Sequence, residues 1–224
     1  MMKRTKLKER ELPRYSRGEE IFNMVSHIVG GAMGVVATVL CVIFAAIHKS
    51  VYGVVSASIY GATLIILYTM SSIYHGLKVG TAKRVFQIID HCSIFILIAG
   101  TYTPFTLCTL RKYDVTLGWT MFGIIWGAAI LGIVFNAIDL KKYKIPSMIC
   151  YLLMGWCIIL KANLLPELLT VKGFILLVLG GVFYTIGAIL YGMGKKFKWM
   201  HSIFHIFCVI GSLMHFFCIL FYVV

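Results

Sequence analysis

Histidines are the residues of this sequence whose type and spacing offer the clearest chemistry. His201 and His205 are four residues apart in the stretch HSIFHIFC (201–208), whose other members are mainly apolar. In a helix, this spacing corresponds to about 6 Å of rise and places both imidazoles on one face. Such a pair can bind a metal ion, or it can hydrogen-bond within the protein.

The composition shows what kind of element must carry this pair. Of the 224 residues, 60% are hydrophobic and 13% are charged, and the mean hydropathy is +0.93. A soluble domain does not have this composition. Helices that cross a bilayer need about 20 apolar residues, and the sequence contains seven such segments. They are residues 21–47, 51–75, 86–109, 116–138, 145–163, 171–192 and 200–223.

The predicted fold is an all-α membrane protein, a seven-transmembrane helix bundle in the cell membrane. Residues 1–19 are predicted to form a basic cytoplasmic tail and residues 20–224 a single transmembrane domain, since no loop is long enough for another. The apolar stretch after the tail is too long for a signal-peptide core, so we expect it to remain as the first helix.

Basic residues predict the orientation, because Lys and Arg are retained on the cytoplasmic side. Sixteen of the 21 Lys and Arg residues fall on one side of the predicted bundle: Lys3, Arg4, Lys6, Lys8, Arg10, Arg14, Arg17, Lys78, Lys83, Arg84, Lys141, Lys142, Lys144, Lys195, Lys196 and Lys198. The N-terminus is therefore predicted inside and the C-terminus outside. Topology also accounts for the net charge of +13, so no nucleic-acid partner is expected.

This orientation brings four distant polar residues to one depth. His75 ends the second segment, Asp90 lies near the start of the third, and His201 and His205 open the seventh. Three imidazoles and a water form the open tetrahedral arrangement of catalytic zinc. Asp90 can then orient a ligand or hold the water. Ser71 lies one helical turn before His75 on the same face.

Simpler interpretations remain for other residues. Single intramembrane histidines such as His27, His91 and His215 are more often packing or hydrogen-bonding residues than ligands. The seven cysteines lie within hydrophobic segments and have no C-x-x-C spacing, which favours buried thiols over a disulfide framework or metal site.

Gly30-x-x-x-Gly34 and Gly123-x-x-x-Gly127 are predicted helix-packing sites. Pro104 is predicted to kink the third helix, with Thr101 and Thr103 satisfying freed backbone groups.

Three stretches together resemble the hemolysin III family: EEIFNMVSHIVGG (19–31), SSIYHGLKVGTAKRVFQIIDHCSIFILIAGTYTPF (71–105) and HSIFHIFCVIGSLMHFF (201–217). This family is related to the progestin and adipoQ receptors, in a superfamily that includes alkaline ceramidases. The resemblance implies a Zn²⁺ ion bound by His75, His201 and His205, with Ser71 and Asp90 at the superfamily's serine and aspartate positions. Glu20, Asn23 and His27 also match the bacterial branch, and we expect them to form a rim around the site.

The chemistry suggested by this resemblance is zinc-dependent hydrolysis of a membrane lipid amide or ester. Zinc activates a bound water and polarises a carbonyl. Asp90 would be the general base, and Ser71 would donate a hydrogen bond to the developing oxyanion.

Other functions remain open on the sequence. One is a non-enzymatic membrane sensor or regulator with a structural zinc. A pore-forming cytolysin is disfavoured because seven hydrophobic segments commit the chain to its own membrane. An ion or proton transporter is disfavoured because Asp90 is shallow. Two ligands on one helix, His201 and His215, would suit haem, but a matching pair on a second helix is absent. The sequence specifies neither the lipid substrate nor an oligomeric state.

Overall fold

The computed structural model describes residues 5–194 and 196–224, and each of the seven predicted segments is helical over nearly all of its length. The helices are α1 (Arg17–Ile47), α2 (Val51–Gly76), α3 (Thr81–Pro104), α4 (Val115–Ile138), α5 (Lys144–Trp156), α6 (Leu165–Met193) and α7 (Met200–Tyr222). A π-helical segment, Phe105–Leu110, and a short helix, Arg111–Tyr113, extend α3, and a 3-10 segment, Cys157–Lys161, extends α5. All seven spans are long and apolar enough to cross a membrane, which confirms the predicted fold class.

Short connections make consecutive helices run in opposite directions. One end of the bundle therefore contains the N-termini of α1, α3, α5 and α7 and the C-termini of α2, α4 and α6. We call this the basic end, because the basic residues assigned above to the cytoplasm belong to it. Lys3, Arg4 and Lys195 of that set lie outside the described residues. The cytoplasmic location of this end remains a prediction.

The connection between α2 and α3 is shorter than predicted. The second predicted segment ends at residue 75 and the third begins at residue 86, but α3 begins at Thr81, so that Lys83 and Arg84 lie in its first turn. Lys83 is buried, and its Nζ lies 2.8 Å from Glu20 Oε1. The ion pair with α1 allows a lysine to enter the bundle, which hydropathy cannot anticipate.

Only one of the two predicted glycine motifs lies at a helix contact. A Cβ added to Gly30 would lie 2.7 Å from Tyr68 Cδ1, so α1 and α2 approach closely there. At Gly34 the nearest atom would be Leu64 Cβ, at 3.2 Å. A Cβ added to Gly123 or Gly127, by contrast, would meet no atom within 4 Å among the described residues. The prediction of packing within the chain was wrong for this second pair, because i, i+4 spacing does not reveal which helix face is covered.

Pro104 marks the end of regular α-helix in the third span. The π-helical segment follows it directly, as expected for a residue that cannot continue the hydrogen-bond ladder. Thr103 Oγ1 donates to Ala99 O at 2.8 Å, and Thr106 Oγ1 donates to Tyr102 O at 3.0 Å. Threonine side chains therefore contribute to the backbone hydrogen bonding around the irregularity.

Residues 5–16 lie against the basic end, and we call them the N-terminal strap. The Thr5 amide donates to Asp139 Oδ2 at 3.0 Å, and Arg84 Nε donates to Arg10 O at 2.9 Å. Burial alone would raise the pKa of Asp139, but hydrogen bonds from the Thr5, Lys142 and Lys141 amides lower it to about 2. The strap is thus tied to α3 and to the residue that follows α4.

Candidate metal centre

Two helices bring three histidines together at the basic end. α2 supplies His75 from its last turn, and α7 supplies His201 and His205 from its first two turns. The Nε2 atoms of His201 and His75 are 3.4 Å apart, and those of His205 and His201 are 3.1 Å apart. A ligand atom from each of the three residues lies within 4.8 Å of the other two. The side chains predicted as ligands therefore form one cluster.

The geometry of this cluster fits a tetrahedral metal ion. Zn–N bonds of about 2.0–2.1 Å place two ligand nitrogens about 3.3–3.4 Å apart at tetrahedral vertices. The observed separations of 3.1 and 3.4 Å are close to that value. The three residues are also only 1 to 8% exposed. Imidazole nitrogens in such a setting suit zinc and also copper, iron and nickel.

α1 supplies a carboxylate that orients His75. Glu20 Oε2 lies 2.7 Å from His75 Nδ1, and because a carboxylate only accepts, the imidazole N–H donates. This bond leaves the lone pair of His75 Nε2 available to the cluster, as in the carboxylate–histidine–zinc arrangement of known sites. Lys83 Nζ contacts the other oxygen, Glu20 Oε1, and also donates to Leu77 O at 3.0 Å.

Two aromatic contacts cover the cluster. The ring of His27 stacks on His205 with centroids 3.7 Å apart. Tyr15 of the N-terminal strap stacks on His201 at 4.8 Å, with the two ring planes 17° apart. The pKa of Tyr15 is raised above its usual value. Burial is the largest cause, followed by the nearby Tyr74 and Tyr191 and then by Glu20 and Asp90. Its phenol is therefore a neutral hydrogen-bond donor within electrostatic reach of both carboxylates.

Glu19 fixes the position at which α7 begins. Trp199 immediately precedes the helix in a left-handed conformation, with φ of 65°. Its amide donates to Glu19 Oε1 at 2.7 Å, while Glu19 Oε2 and Ser16 form the capping box of α1. A non-glycine residue with positive φ costs conformational energy that its surroundings must offset. The hydrogen bond from α1 therefore helps to hold His201 in place.

The two residues predicted to be catalytic lie at different positions relative to the cluster. Ser71 is buried on α2, one turn before His75. Asp90 is partly exposed on α3, and its Oδ2 lies 3.6 Å from His91 Nδ1. Asp90 does not belong to the metal-binding group formed by the three histidines. Their catalytic roles remain predictions.

Sequence reasoning identified the cluster but missed parts of its surroundings. Glu20 was expected at a rim and instead contacts His75 directly. The spacing of Glu20, Asn23 and His27 by three and four residues signalled their common helix face, and Asn23 Nδ2 lies 3.5 Å from His75 Nδ1. Lys83 resembled an ordinary basic loop residue, and Tyr15 had no distinguishing pattern. Their contacts arise from tertiary packing.

The fold and the site together define a multi-pass integral membrane protein of the cell membrane with a buried three-histidine centre. The model of the haemolysin-III-related family matches residues 15–216. Hemolysin-3 of Bacillus cereus is 42% identical over 205 residues, with 92% of each chain covered. The hemolysin-3 homolog of Bacillus subtilis (strain 168) is 41% identical over 206 residues, covering 92% of this chain and 95% of the homolog.

A more distant relative comes from animals. The human monocyte to macrophage differentiation factor is 26% identical over 170 residues, covering 74% of this chain and 69% of the factor. No solved structure matches the chain. The chain belongs to the haemolysin-III-related family.

Proposed function

We propose that this protein binds one zinc ion through His75, His201 and His205 and uses it in the hydrolysis of a membrane lipid amide or ester. The observation that supports this most directly is the convergence of three buried histidines, with Nε2 separations of 3.4 Å from His75 to His201 and 3.1 Å from His201 to His205 that suit tetrahedral zinc. The site lies at the basic end of the helix bundle, which is the end predicted to face the cytoplasmic lipid head groups.

In this proposal, Glu20 and Lys83 position the metal ligand His75. The Glu20 carboxylate accepts the Nδ1 proton and so keeps Nε2 directed at the metal. Lys83 holds the second oxygen of the carboxylate at 2.8 Å. We expect outer partners of this kind to affect metal affinity strongly, typically by about 10- to 100-fold.

When bound, zinc would supply an activated water and a polarised carbonyl. Asp90 would accept a proton at its carboxylate, and its partial exposure gives that oxygen access to a substrate. Ser71 would donate from Oγ to the carbonyl oxygen of the lipid. Tyr15, a neutral phenol stacked on His201, would close the strap side of the site against water.

A second candidate is a sensor or regulator in which the zinc is structural. The observation that favours it is the covering of the cluster, because Tyr15 stacks on His201 and His27 stacks on His205. Closed sites are typical of structural zinc, whereas catalytic sites keep an open position. In that case the metal would hold α2 to α7.

Metal analysis of the detergent-purified protein tests zinc binding, which both candidate functions require. We expect about one zinc per chain in the wild type by plasma mass spectrometry, and little in the His201→Ala/His205→Ala variant. His48→Ala, at the opposite end of α1, is the matched control and should retain the metal. A monodisperse wild type, purified without chelator and free of metal, would refute the zinc proposal.

Asp90→Asn then separates the hydrolase from the regulator. In a screen of lipid amides and esters, a hydrolase should lose about 10²- to 10⁴-fold in turnover when its general base is removed, while zinc content stays at the wild-type level. Turnover that is unchanged in Asp90→Asn would exclude Asp90 as the base. A zinc-loaded wild type without turnover of any lipid in the screen would favour the regulator.

A further inference from the structure

A cleft lies beneath the N-terminal strap, on the α3 side of the basic end. Its volume is about 450 Å³, and it is lined by Thr5, Lys6, Leu7, Arg10, Val85 and Ile88. Its lining residues include neither the three histidines nor their Glu20 and Lys83 partners. A function of this cleft would therefore be additional to the one proposed for the metal centre.

Arg10 is the unusual residue in the wall of this cleft. It is 93% buried, since its relative exposure is 7%. Nη2 donates to Ile138 O at 2.9 Å, but Nε and Nη1 have no hydrogen-bond acceptor within the part of the chain that the structure describes. The ion pairs formed by the described residues do not include Arg10 either. A buried cation without a counter-charge is costly.

The carboxylate that follows the backbone acceptor of Arg10 in the chain already has other partners. Asp139 follows α4 directly after Ile138, whose carbonyl accepts from Arg10. Its two oxygens accept hydrogen bonds from the amides of Thr5, Lys141 and Lys142. Asp139 therefore fixes the strap beside the cleft, and these hydrogen bonds come from backbone amides and not from the Arg10 guanidinium.

The remaining lining residues indicate what kind of anion would fit. Lys6 is exposed and adds a second positive charge, whereas Val85 and Ile88 form an apolar wall from the first turns of α3. A basic pocket beside an apolar helix face at the end of a membrane bundle suits a lipid head group, with its phosphate on the cations and its first carbons on the helix.

We propose that this cleft binds the phosphate of an anionic membrane phospholipid, with Arg10 and Lys6 as its cationic ligands. Arg10 belongs to the same strap as Tyr15, and Arg84 of α3 holds the Arg10 carbonyl in place. Lipid binding would thus stabilise the strap against α3. The proposal does not depend on zinc or on hydrolysis.

The experiment uses the full chain, with lipid binding followed by native mass spectrometry and by thermal shift. Phosphatidylglycerol, phosphatidylcholine and inorganic phosphate are compared as probes. We expect the wild type to retain phosphatidylglycerol in preference to phosphatidylcholine, and Arg10→Gln to weaken that binding about tenfold, as for the loss of one charge-assisted hydrogen bond. Lys8→Gln, an exposed residue of the same strap, is the matched control and should bind like the wild type.

Three outcomes would overturn the proposal. Equal binding of phosphatidylglycerol and phosphatidylcholine by the wild type would show that the cleft has no preference for an anionic lipid. An equal loss of phosphatidylglycerol binding in Lys8→Gln would show that the lipid responds to general surface charge and not to Arg10. Stabilisation by inorganic phosphate without a preference for phosphatidylglycerol would assign the cleft to free phosphate. If Arg10→Gln does not fold, Lys6→Gln makes the same test with an exposed residue and should show a smaller loss in the same direction.

Discussion

At the scale of single residues, Glu20 connects the histidine cluster to two other helices. One carboxylate oxygen holds His75 of α2, and the other holds Lys83 of α3. The same side chain therefore orients the proposed metal ligand His75 and neutralises a buried ammonium group. These two roles can be separated, because only one of them concerns the metal.

Substitution of Glu20 should separate metal affinity from stability. Glu20→Gln should bind zinc about 10- to 100-fold more weakly in chelator competition, and it should also melt earlier because Lys83 is left buried without a counter-charge. Glu20→Gln/Lys83→Met removes that charge and should recover the melting temperature while zinc binding stays weak.

The conservative Glu20→Asp and the exposed Glu11→Gln serve as controls for this prediction. Within the described part of the chain Glu11 pairs with Lys141, and both side chains are largely exposed, so its replacement should leave both readouts unchanged. If zinc affinity recovered together with stability in the double variant, Glu20 would be a structural residue only.

At the scale of elements, α7 depends on α1 for its starting geometry. The strained Trp199 amide donates to Glu19, which also caps α1 together with Ser16. The ends of two helices thus share one carboxylate, and the His201 ligand follows two residues later. A local helix cap is thereby connected to the metal centre.

Glu19→Ala should reduce both stability and zinc retention. We expect a loss of about 1.5–3 kcal/mol in stability because hydrogen bonds to a carboxylate are removed, together with faster zinc loss to a chelator because the first turn of α7 is released. Ser16→Ala is the matched control, since it weakens the α1 cap but leaves the Glu19 contact with Trp199. Identical zinc loss in both variants would show that the α7 contact is unimportant.

The strap makes a separate prediction about pH. Since the pKa of Asp139 is lowered to about 2, its stabilising effect is complete above its ordinary value near 4 and is lost as the pH falls through about 2. Between pH 8 and pH 5 the strap should therefore stay equally protected from hydrogen exchange. Asp139→Asn should expose it throughout this range. Loss of wild-type protection between pH 8 and pH 5 would contradict the assignment.

At the scale of the whole molecule, metal binding should stabilise the bundle because the ligands come from α2 and α7. A ligand that binds only the folded state stabilises by about 2.7 kcal/mol at 100 times its Kd. Chelator should lower the melting temperature of the wild type and have no effect on His201→Ala/His205→Ala. An identical chelator effect on both would indicate that the metal acts elsewhere.

The sequence predicts the features of this molecule that depend on residues close together in the chain. It does not predict those that depend on contacts between separate elements. Hydropathy is additive along the chain, so it located all seven spans. The spacing of His201 and His205, with the depth of His75, indicated a shared site because helix geometry is regular. Lys83, Tyr15 and Arg10 acquire their roles from partners on other elements. A local pattern contains no information about such partners.

The distance along the chain between His75 and its fellow ligands has a consequence for biosynthesis. These residues are separated by 126 positions from His75 to His201, and His201 lies at the start of the last span. A ribosome must therefore synthesise the chain beyond His205 before the three-nitrogen site can exist. Nascent chains in which α7 has not yet been inserted cannot acquire the ion in this way, so metal loading would report that all seven spans have entered the bundle.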